Sequence, residues 1–196
     1  RLYEMFMGPL EQTKPWNMKG VEGVYRFLGR VWRTAMEEDK DGGWGLSARV
    51  TDAAPSKDLT RALHQTIEKV TSDTERLGFN TAISQMMVLT NAITSEDSTP
   101  VEALVPFLTL LSPYAPHIAE EIYAHVRAAF PQACTTELVS SQPWPEHDPE
   151  LLVEDEIEIV VQVNGKVRDK IRVPAEAPKG GHRGGREGRR EGRPVP

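Results

Sequence analysis

The chain has 196 residues, of which 39% are hydrophobic and 27% are charged, which is enough for one ordinary core and a small appendage. A single cysteine, Cys134, excludes an intrachain disulfide and a cysteine-based zinc cluster, and no apolar run approaches the roughly 20 residues of a membrane span, so we expect a soluble cytoplasmic protein. The formal net charge of −6 provides no general attraction for phosphate.

Residues 1–142 carry the apolar spacing of packed helices, and we predict a mainly α, up-and-down bundle there. The spacing Leu2, Met5, Phe6 is already running at Arg1, which indicates a helix entered midway and a chain that is a fragment. The further helices and their caps are predicted as follows: 20–38 with Asn17 as cap, 56–77 with Ser56 as cap, 80–94 with Asn80 as cap, and 100–130 divided in two by Pro113 and Pro116.

Three segments are not predicted to be helical. Residues 39–55, which contain Asp41-Gly42-Gly43, are interpreted as a long loop. Residues 143–177 are predicted to be a linker and a β-hairpin turning at Asn164-Gly165. Residues 178–196 are rich in Gly and Arg and are predicted to be disordered.

Charge is distributed unevenly between the body and the tail. Residues 178–196 hold six basic and two acidic side chains; taking these from the 23 basic and 29 acidic side chains of the whole chain leaves 17 and 27. Residues 1–177 therefore carry a net charge of −10. If this body binds nucleic acid, it must use a local basic face.

Arg26, Arg30 and Arg33 supply one such candidate face on the second predicted helix. Spacings of four and three place the three guanidinium groups on one side of a helix, where they could pair with successive phosphates. The alternative is an ordinary solvated face, or ion pairs with neighbouring carboxylates.

Basic residues also alternate along the second strand of the predicted hairpin: Lys166, Arg168, Lys170 and Arg172. A regular strand would direct all four from the same face of the sheet, an arrangement suited to a nucleic-acid backbone. It suits equally an edge strand that charge protects from aggregation.

Other kinds of site have little support. No Gly-rich phosphate loop is present. His117, Glu121 and His125 have helical spacing that could clasp a metal, although a solvated helix face has the same spacing. Cys134 has no base beside it in sequence. The four tryptophans could stack on bases, but they more often anchor cores and loops, and Trp32 is expected to pack inward.

Four segments resemble bacterial leucyl-tRNA synthetases, in the order in which that family has them. They are RLYEMFMGPLEQTKPWN (1–17) with GVEGVYRFLGRVWR (20–33), HQTIEKVTSDTERLGFNTAIS (64–84), LLSPYAPHIAEEIY (110–123) and VVQVNGKVRDKIRVP (160–174). The resemblance covers about residues 1–175. Isoleucyl- and valyl-tRNA synthetases share the bundle architecture, but the first and last segments favour the leucine enzyme.

The resemblance implies a class I synthetase anticodon-binding-type bundle, followed by a β-hairpin that begins a small α+β domain. It implies tRNA(Leu) and the rest of the synthetase as partners, in a cytoplasmic, monomeric enzyme that uses ATP and magnesium. The family's HIGH and KMSKS signatures and its editing domain are absent from this sequence. We therefore carry over no catalytic residue and no cofactor site, and we expect the chain to position tRNA through Arg26, Arg30, Arg33, Lys166, Arg168 and Lys170.

The tail departs from the family, in which further helix and strand follow the hairpin. The abrupt change to PKGGHRGGREGRREGRPVP (178–196) indicates one of two things. Either it results from a reading-frame or gene-model error, or it is an arginine-glycine tail that binds RNA non-specifically. A hypothesis from another class is a helical scaffold module with no RNA partner.

Overall fold

The computed structural model describes residues 1–152 and the strand residues 156–163 and 166–174. The chain divides into two compact units, Arg1–Leu152 and Val153–Pro196. The predicted disordered tail, 178–196, and the predicted turn, Asn164-Gly165, lie outside the described residues.

Residues 1–152 form a helical unit with short strands between the helices. The helices are α1 (Leu2–Phe6), α2 (Met18–Ala35), α3 (Lys57–Glu75), α4 (Phe79–Ser95), α5 (Val101–Leu111) and α6 (Pro116–Ala129). The strands are β1 (Met36–Glu38), β2 (Trp44–Leu46), β3 (Val50–Thr51) and β4 (Thr99–Pro100). β1 pairs with β2 antiparallel, and β3 pairs with β4 parallel. The mainly α architecture predicted from the sequence is confirmed.

The core is built around α5, which is apolar on nearly all sides. Leu104, Phe107, Leu108 and Leu111 are completely buried, as expected for a helix without a polar face. The break between α5 and α6 falls at the two prolines, as predicted, because Pro116 occupies the first position of α6, where its missing N–H costs nothing.

Two of the three predicted helix caps are confirmed. The Asn17 side chain accepts a hydrogen bond from the backbone N–H of Lys19 at 2.9 Å, and the Ser56 hydroxyl accepts one from Leu59 at 3.1 Å. Each satisfies a backbone donor that the first turn of a helix leaves unpaired.

The predicted cap at Asn80 is wrong. α4 begins at Phe79 with Gly78 as its N-cap residue, so Asn80 lies inside the first turn. Leu77, which lies two residues after the end of α3, has φ of 59°, and the Gly78 N–H donates to the carbonyl of Asp73 at 2.7 Å. This tight reversal between α3 and α4 places the helix start two residues before the position predicted from side-chain type.

Two boundaries also differ from the prediction. α2 ends at Ala35 rather than Glu38, because residues 36–38 leave the helix and pair with β2. The helical unit extends past the predicted boundary at 142 to Leu152. Trp144 Nε1 donates to Thr71 Oγ1 at 2.8 Å, and the N–H of Asp148 donates to His64 Nδ1 at 2.9 Å, so these contacts attach the last residues of the unit to α3.

The second unit contains the predicted hairpin strands, β5 (Glu156–Val163) and β6 (Lys166–Pro174), paired antiparallel. Val163 pairs with Lys166 at one end of the strand pair, and the register shifts between Val161 and Gln162. Over the part of the chain with described structure, no helix is both long and apolar enough to cross a bilayer.

Candidate nucleic-acid interface

The orientation of α2 is set by its buried face. Val24, Phe27, Val31 and Ala35 are buried against the core, and this fixes which residues face outward. Lys19, Gly23, Arg26, Arg30 and Arg33 recur at spacings of four and three on another side of the same helix. The four cations of this set are exposed, and we call the five residues the α2 stripe.

Gly23, Arg26, Arg30 and Arg33 line one surface depression, so the three predicted arginines do come together. Arg26 Nη1 lies 3.7 Å from Glu22 Oε1, with both side chains about two-thirds exposed, and such an exposed pair holds the arginine only weakly. Arg30 Nη1 donates to the uncharged Asn91 Oδ1 of α4 at 2.9 Å. Within residues 1–152, Arg33 forms no ion pair.

A second depression adjoins the first and shares Arg30 and Arg33 with it. It is lined by Arg30, Arg33, Thr34, Arg49, Thr94 and Thr99. Arg49 therefore joins the predicted arginines, although it comes from the segment predicted to be a long loop, which in the structure contains the short strands β2 and β3. No carboxylate side chain lines either depression, so a local basic face exists on this acidic body.

Backbone pairing holds Arg49 at this position. The N–H of Thr99 donates to the carbonyl of Arg49 at 2.7 Å, next to the pair of Val50 with Thr99 in the β3–β4 bridge. Arg49 Nη2 donates to the backbone carbonyl of Glu96 at 2.6 Å. The residue is thus attached by both backbone and side chain to the junction of α4 with α5.

Two basic residues of this surface, Lys19 and Arg49, are not among the predicted site residues, for different reasons. Lys19 lies seven positions before Arg26, so its place on the stripe was available from helical spacing alone. Arg49 gave no such signal, because its position depends on the pairing of β3 with a strand far along the chain.

The hairpin cations belong to the second unit, and their backbone positions are described. Lys166 pairs with Val163, Lys170 with Val160, and Arg172 with Glu158. Arg168 lies between Val167 and Asp169, the two residues on either side of the register shift. An irregularity of this kind interrupts strict alternation, so the expectation that all four cations share one face does not follow from their spacing.

The metal and nucleophile candidates gain no support from the residues that the structure describes. His125 Nε2 lies 3.6 Å from Glu121 Oε1, and among the residues that the structure describes no three His, Cys, Asp or Glu side chains form a group suited to a metal ion. Burial raises the pKa of the Cys134 thiol, which disfavours the reactive thiolate at neutral pH.

The tryptophans mostly anchor the fold, as expected. Trp32 is partly buried against the core and meets Trp44 edge to face, with ring centroids 5.6 Å apart. Trp16 is 60% exposed and stacks edge to face on Tyr3 at 4.9 Å.

Comparison with known proteins identifies the family. The family described as "Anticodon-binding domain of tRNA ligase" matches residues 56–181, which is more than half of the chain. The chain belongs to the anticodon-binding domain family of tRNA ligases. The match begins at Ser56, the cap of α3, so the α2 stripe and Arg49 lie before the matched residues.

Two relatives with similar sequences are named as leucine–tRNA ligases. The chain is 51% identical over 165 residues to the leucine–tRNA ligase of Rhodopirellula baltica and 48% identical over 165 residues to that of Chlorobium phaeovibrioides. These alignments cover 84% of the chain but 16% and 19% of the two ligases. The chain thus spans less than a fifth of the length of these curated relatives.

A solved structure is similar to this chain in fold. It is the ternary complex of Agrobacterium radiobacter K84 agnB2 LeuRS with tRNA and LeuAMS, which is similar with a TM-score of 0.64 and 27% sequence identity. The similarity covers 93% of this chain and 24% of that one. The resemblance to leucyl-tRNA synthetases stated from the sequence is confirmed.

Proposed function

We propose that this chain is the tRNA-binding part of a leucine–tRNA ligase, and that the ligase attaches leucine to tRNA(Leu) with ATP. The observation that carries the proposal is the α2 stripe: exposed arginines on one helix face, next to depressions that no carboxylate side chain lines, on a body of net negative charge. The family and the leucine–tRNA ligase relatives support it.

In this proposal the chain positions folded RNA and does not make or break bonds. Arg26, Arg30 and Arg33 contact phosphates of the tRNA backbone, which fixes its register on the protein without reading sequence. Lys166, Arg168 and Lys170 of the hairpin add further phosphate contacts. ATP and magnesium act elsewhere in the ligase, whose remaining domains are the chain's protein partner; we also propose that the ligase is cytoplasmic and monomeric.

The test is the salt dependence of tRNA binding by the full chain and by Arg30→Ala/Arg33→Ala. Each phosphate contact releases counterions, so the log of the affinity falls with the log of the salt concentration by about 0.9 per contact on duplex-like RNA. We expect the double variant to bind more weakly, with a slope shallower by about 0.9 for each arginine removed. Filter binding across a salt series measures this.

Lys14→Ala/Arg127→Ala is the matched control, because it removes two positive charges from other elements of the same unit. We expect its slope to stay close to that of the unaltered chain. The basic tail contributes equally to all three proteins, so it cancels from the comparison. An unchanged slope in Arg30→Ala/Arg33→Ala would show that the α2 stripe does not bind tRNA.

A helical scaffold module is the second candidate function. It is favoured by exposed apolar side chains around the α1–α2 connection, including Leu10, Trp16 and Met18, which are 53%, 60% and 70% exposed, because such residues often contact a protein partner. Failure of the full chain to retain tRNA even at low salt would favour this function over RNA binding.

A further inference from the structure

The second depression on the basic face has the features of a built anion site. It is lined by three guanidinium groups, from Arg30, Arg33 and Arg49. Its three threonine hydroxyls already donate to backbone carbonyls, so the guanidinium groups supply the free donors. Arginines are always charged, so placing three around one depression costs repulsion unless an anion neutralises them. The contacts of Arg30 and Arg49 within the fold are to uncharged oxygens and leave that charge uncompensated.

We propose that Arg49, with Arg30 and Arg33, forms a cleft that binds one phosphodiester group of the RNA. This inference rests on the proposed function and extends it to a residue that neither the helical spacing nor the family match includes. Arg49 contacts the phosphate directly in this proposal, so its role is to bind the RNA backbone.

Arg49 is held in place before the ligand arrives. Its backbone carbonyl is bonded to Thr99, and one of its terminal nitrogens is bonded to the carbonyl of Glu96. A guanidinium group has five N–H donors in a fixed fork, so this anchor leaves donors for an anion. Because the side chain is already ordered, little conformational entropy remains to be lost on binding.

The arrangement favours a polyanion over a small free anion. The cleft shares Arg30 and Arg33 with the depression that Gly23 and Arg26 complete, so the two sites form one continuous surface. From Gly23 to Arg33 the helix rises by about 15 Å, a length suited to a ligand with several linked phosphates. A free phosphate ion would occupy only one of the two depressions.

The neighbouring end of the stripe is open to close approach by such a ligand. A methyl group added at Gly23 would meet no protein atom within 4 Å, so the fold itself does not require glycine at this position. Glycine costs stability in the interior of a helix, and it allows a ligand to approach the backbone closely. This is the property expected of a helix that lies against an RNA backbone.

The experiment compares the full chain with Arg49→Ala, Arg49→Gln and Arg49→Lys, in the same tRNA salt series. We expect Arg49→Ala and Arg49→Gln to reduce the slope by about 0.9 and the affinity by roughly tenfold. Arg49→Lys keeps the charge and should keep the slope, with a smaller loss of affinity, because lysine lacks the planar fork. Arg127→Ala is the matched control and should leave both unchanged.

The slope separates a phosphate contact from a purely structural role. If Arg49 only held the loop against Glu96, its loss would lower the fraction of folded protein and the affinity by the same factor at every salt concentration, with the slope unaltered. Arg49→Gln, which retains hydrogen-bonding capacity, keeps the test informative if Arg49→Ala does not fold. A normal slope in folded Arg49→Gln would overturn the inference.

Three further outcomes are decisive. If the unaltered chain binds tRNA and Arg30→Ala/Arg33→Ala reduces the slope while Arg49→Gln does not, the cleft is wrong and the proposed function stands. If the unaltered chain does not bind tRNA, both fail. If inorganic phosphate, compared with chloride at equal ionic strength, saturates the chain and Arg49→Gln abolishes that binding without changing the tRNA slope, the cleft binds a small anion and the RNA assignment is overturned.

Discussion

Asp73 is a buried acid at the end of α3, with a side chain only 5% exposed. Lys69 Nζ lies 2.9 Å from its Oδ2 and Arg76 Nη2 lies 3.2 Å from its Oδ1. Burial by itself raises the pKa of Asp73, but hydrogen bonds from Thr81, Lys69 and Arg76, with the charge of Lys69, outweigh it and lower the pKa below the ordinary value of 3.8. The carboxylate therefore stabilises the reversal between α3 and α4 in its charged form.

Asp73→Asn is expected to lower the free energy of unfolding at pH 7 by roughly 1–3 kcal/mol, because it removes the negative charge and replaces one of the two oxygens that face Lys69 and Arg76 with an NH2 group, which cannot accept. Since the folded-state pKa is depressed, this contribution is fully present above pH 3.8 and is lost as the pH falls through the lower folded-state pKa. Urea unfolding of both proteins at pH 7, 5 and 3 measures the difference, which should be the same at the two higher pH values and smaller only at the lowest.

Glu121→Gln is a suitable control for Asp73→Asn, because the Glu121 side chain is 63% exposed and its partner is His125 at 3.6 Å. Its effect on the free energy of unfolding should stay within about 0.5 kcal/mol at each pH. An Asp73→Asn protein as stable as the unaltered chain at pH 7 would contradict the structural role of the carboxylate.

Within α2, two glycines three positions apart have opposite requirements. A methyl group at Gly20 would lie 2.6 Å from the buried ring of Tyr3, whose hydroxyl donates to the carbonyl of Asn17 at 2.6 Å and so resists displacement. At Gly23 the same methyl group would meet no protein atom within 4 Å. Gly20 therefore allows α1 to pack closely against α2, whereas Gly23 leaves the backbone of the α2 stripe uncovered by any side chain of its own.

Gly20→Ala is therefore expected to lower the free energy of unfolding by about 1–3 kcal/mol through overpacking. Gly23→Ala should raise it by about 0.5–1 kcal/mol through the better helix propensity of alanine. Thermal unfolding of the two variants measures the contrast, with about 2–4 °C of shift for each kcal/mol. Gly23→Ala should also weaken tRNA binding despite the added stability; equal affinity would show that RNA does not approach the helix there.

The helices were predictable because apolar spacing and proline positions are local signals. α2, α3 and the division of α5 from α6 follow from residues close together in the chain. Asn80 shows the limit of local signals. Its side chain is a good cap, but Gly78 is the N-cap residue instead, because the reversal at Leu77 and Gly78 depends on how α3 and α4 pack. Short strands such as β3 and β4 have too few residues for any periodic signal.

On the scale of the whole molecule, the same division between local and non-local signals explains the candidate site. Three of its arginines lie on one helix, and the sequence placed them together. Arg49 is brought next to them by the pairing of Val50 with Thr99, and no spacing rule predicts that pairing. The net charge of residues 1–177 likewise follows from the sequence. The two depressions that no carboxylate side chain lines are visible only in the structure.

Binding of RNA to this surface should stabilise the molecule as a whole. A ligand at 100 times its dissociation constant adds about 2.7 kcal/mol to the free energy of unfolding, which corresponds to a rise of about 5–10 °C in the thermal midpoint. We expect tRNA at such a concentration to produce this rise in the unaltered chain and in Lys14→Ala/Arg127→Ala. At the same tRNA concentration, Arg30→Ala/Arg33→Ala should show a clearly smaller rise, as measured by scanning calorimetry.

The bridge between β3 and β4 makes the cleft dependent on late events in folding. α2 can form early from local contacts, but Arg49 reaches its arginine neighbours only after a large loop has closed, and contacts distant in sequence are slow to form. During synthesis on the ribosome, α2 emerges well before the segment that carries Thr99. A partly made chain therefore lacks the assembled set of cations, and the cleft proposed to bind RNA is complete only when β3 has paired with β4.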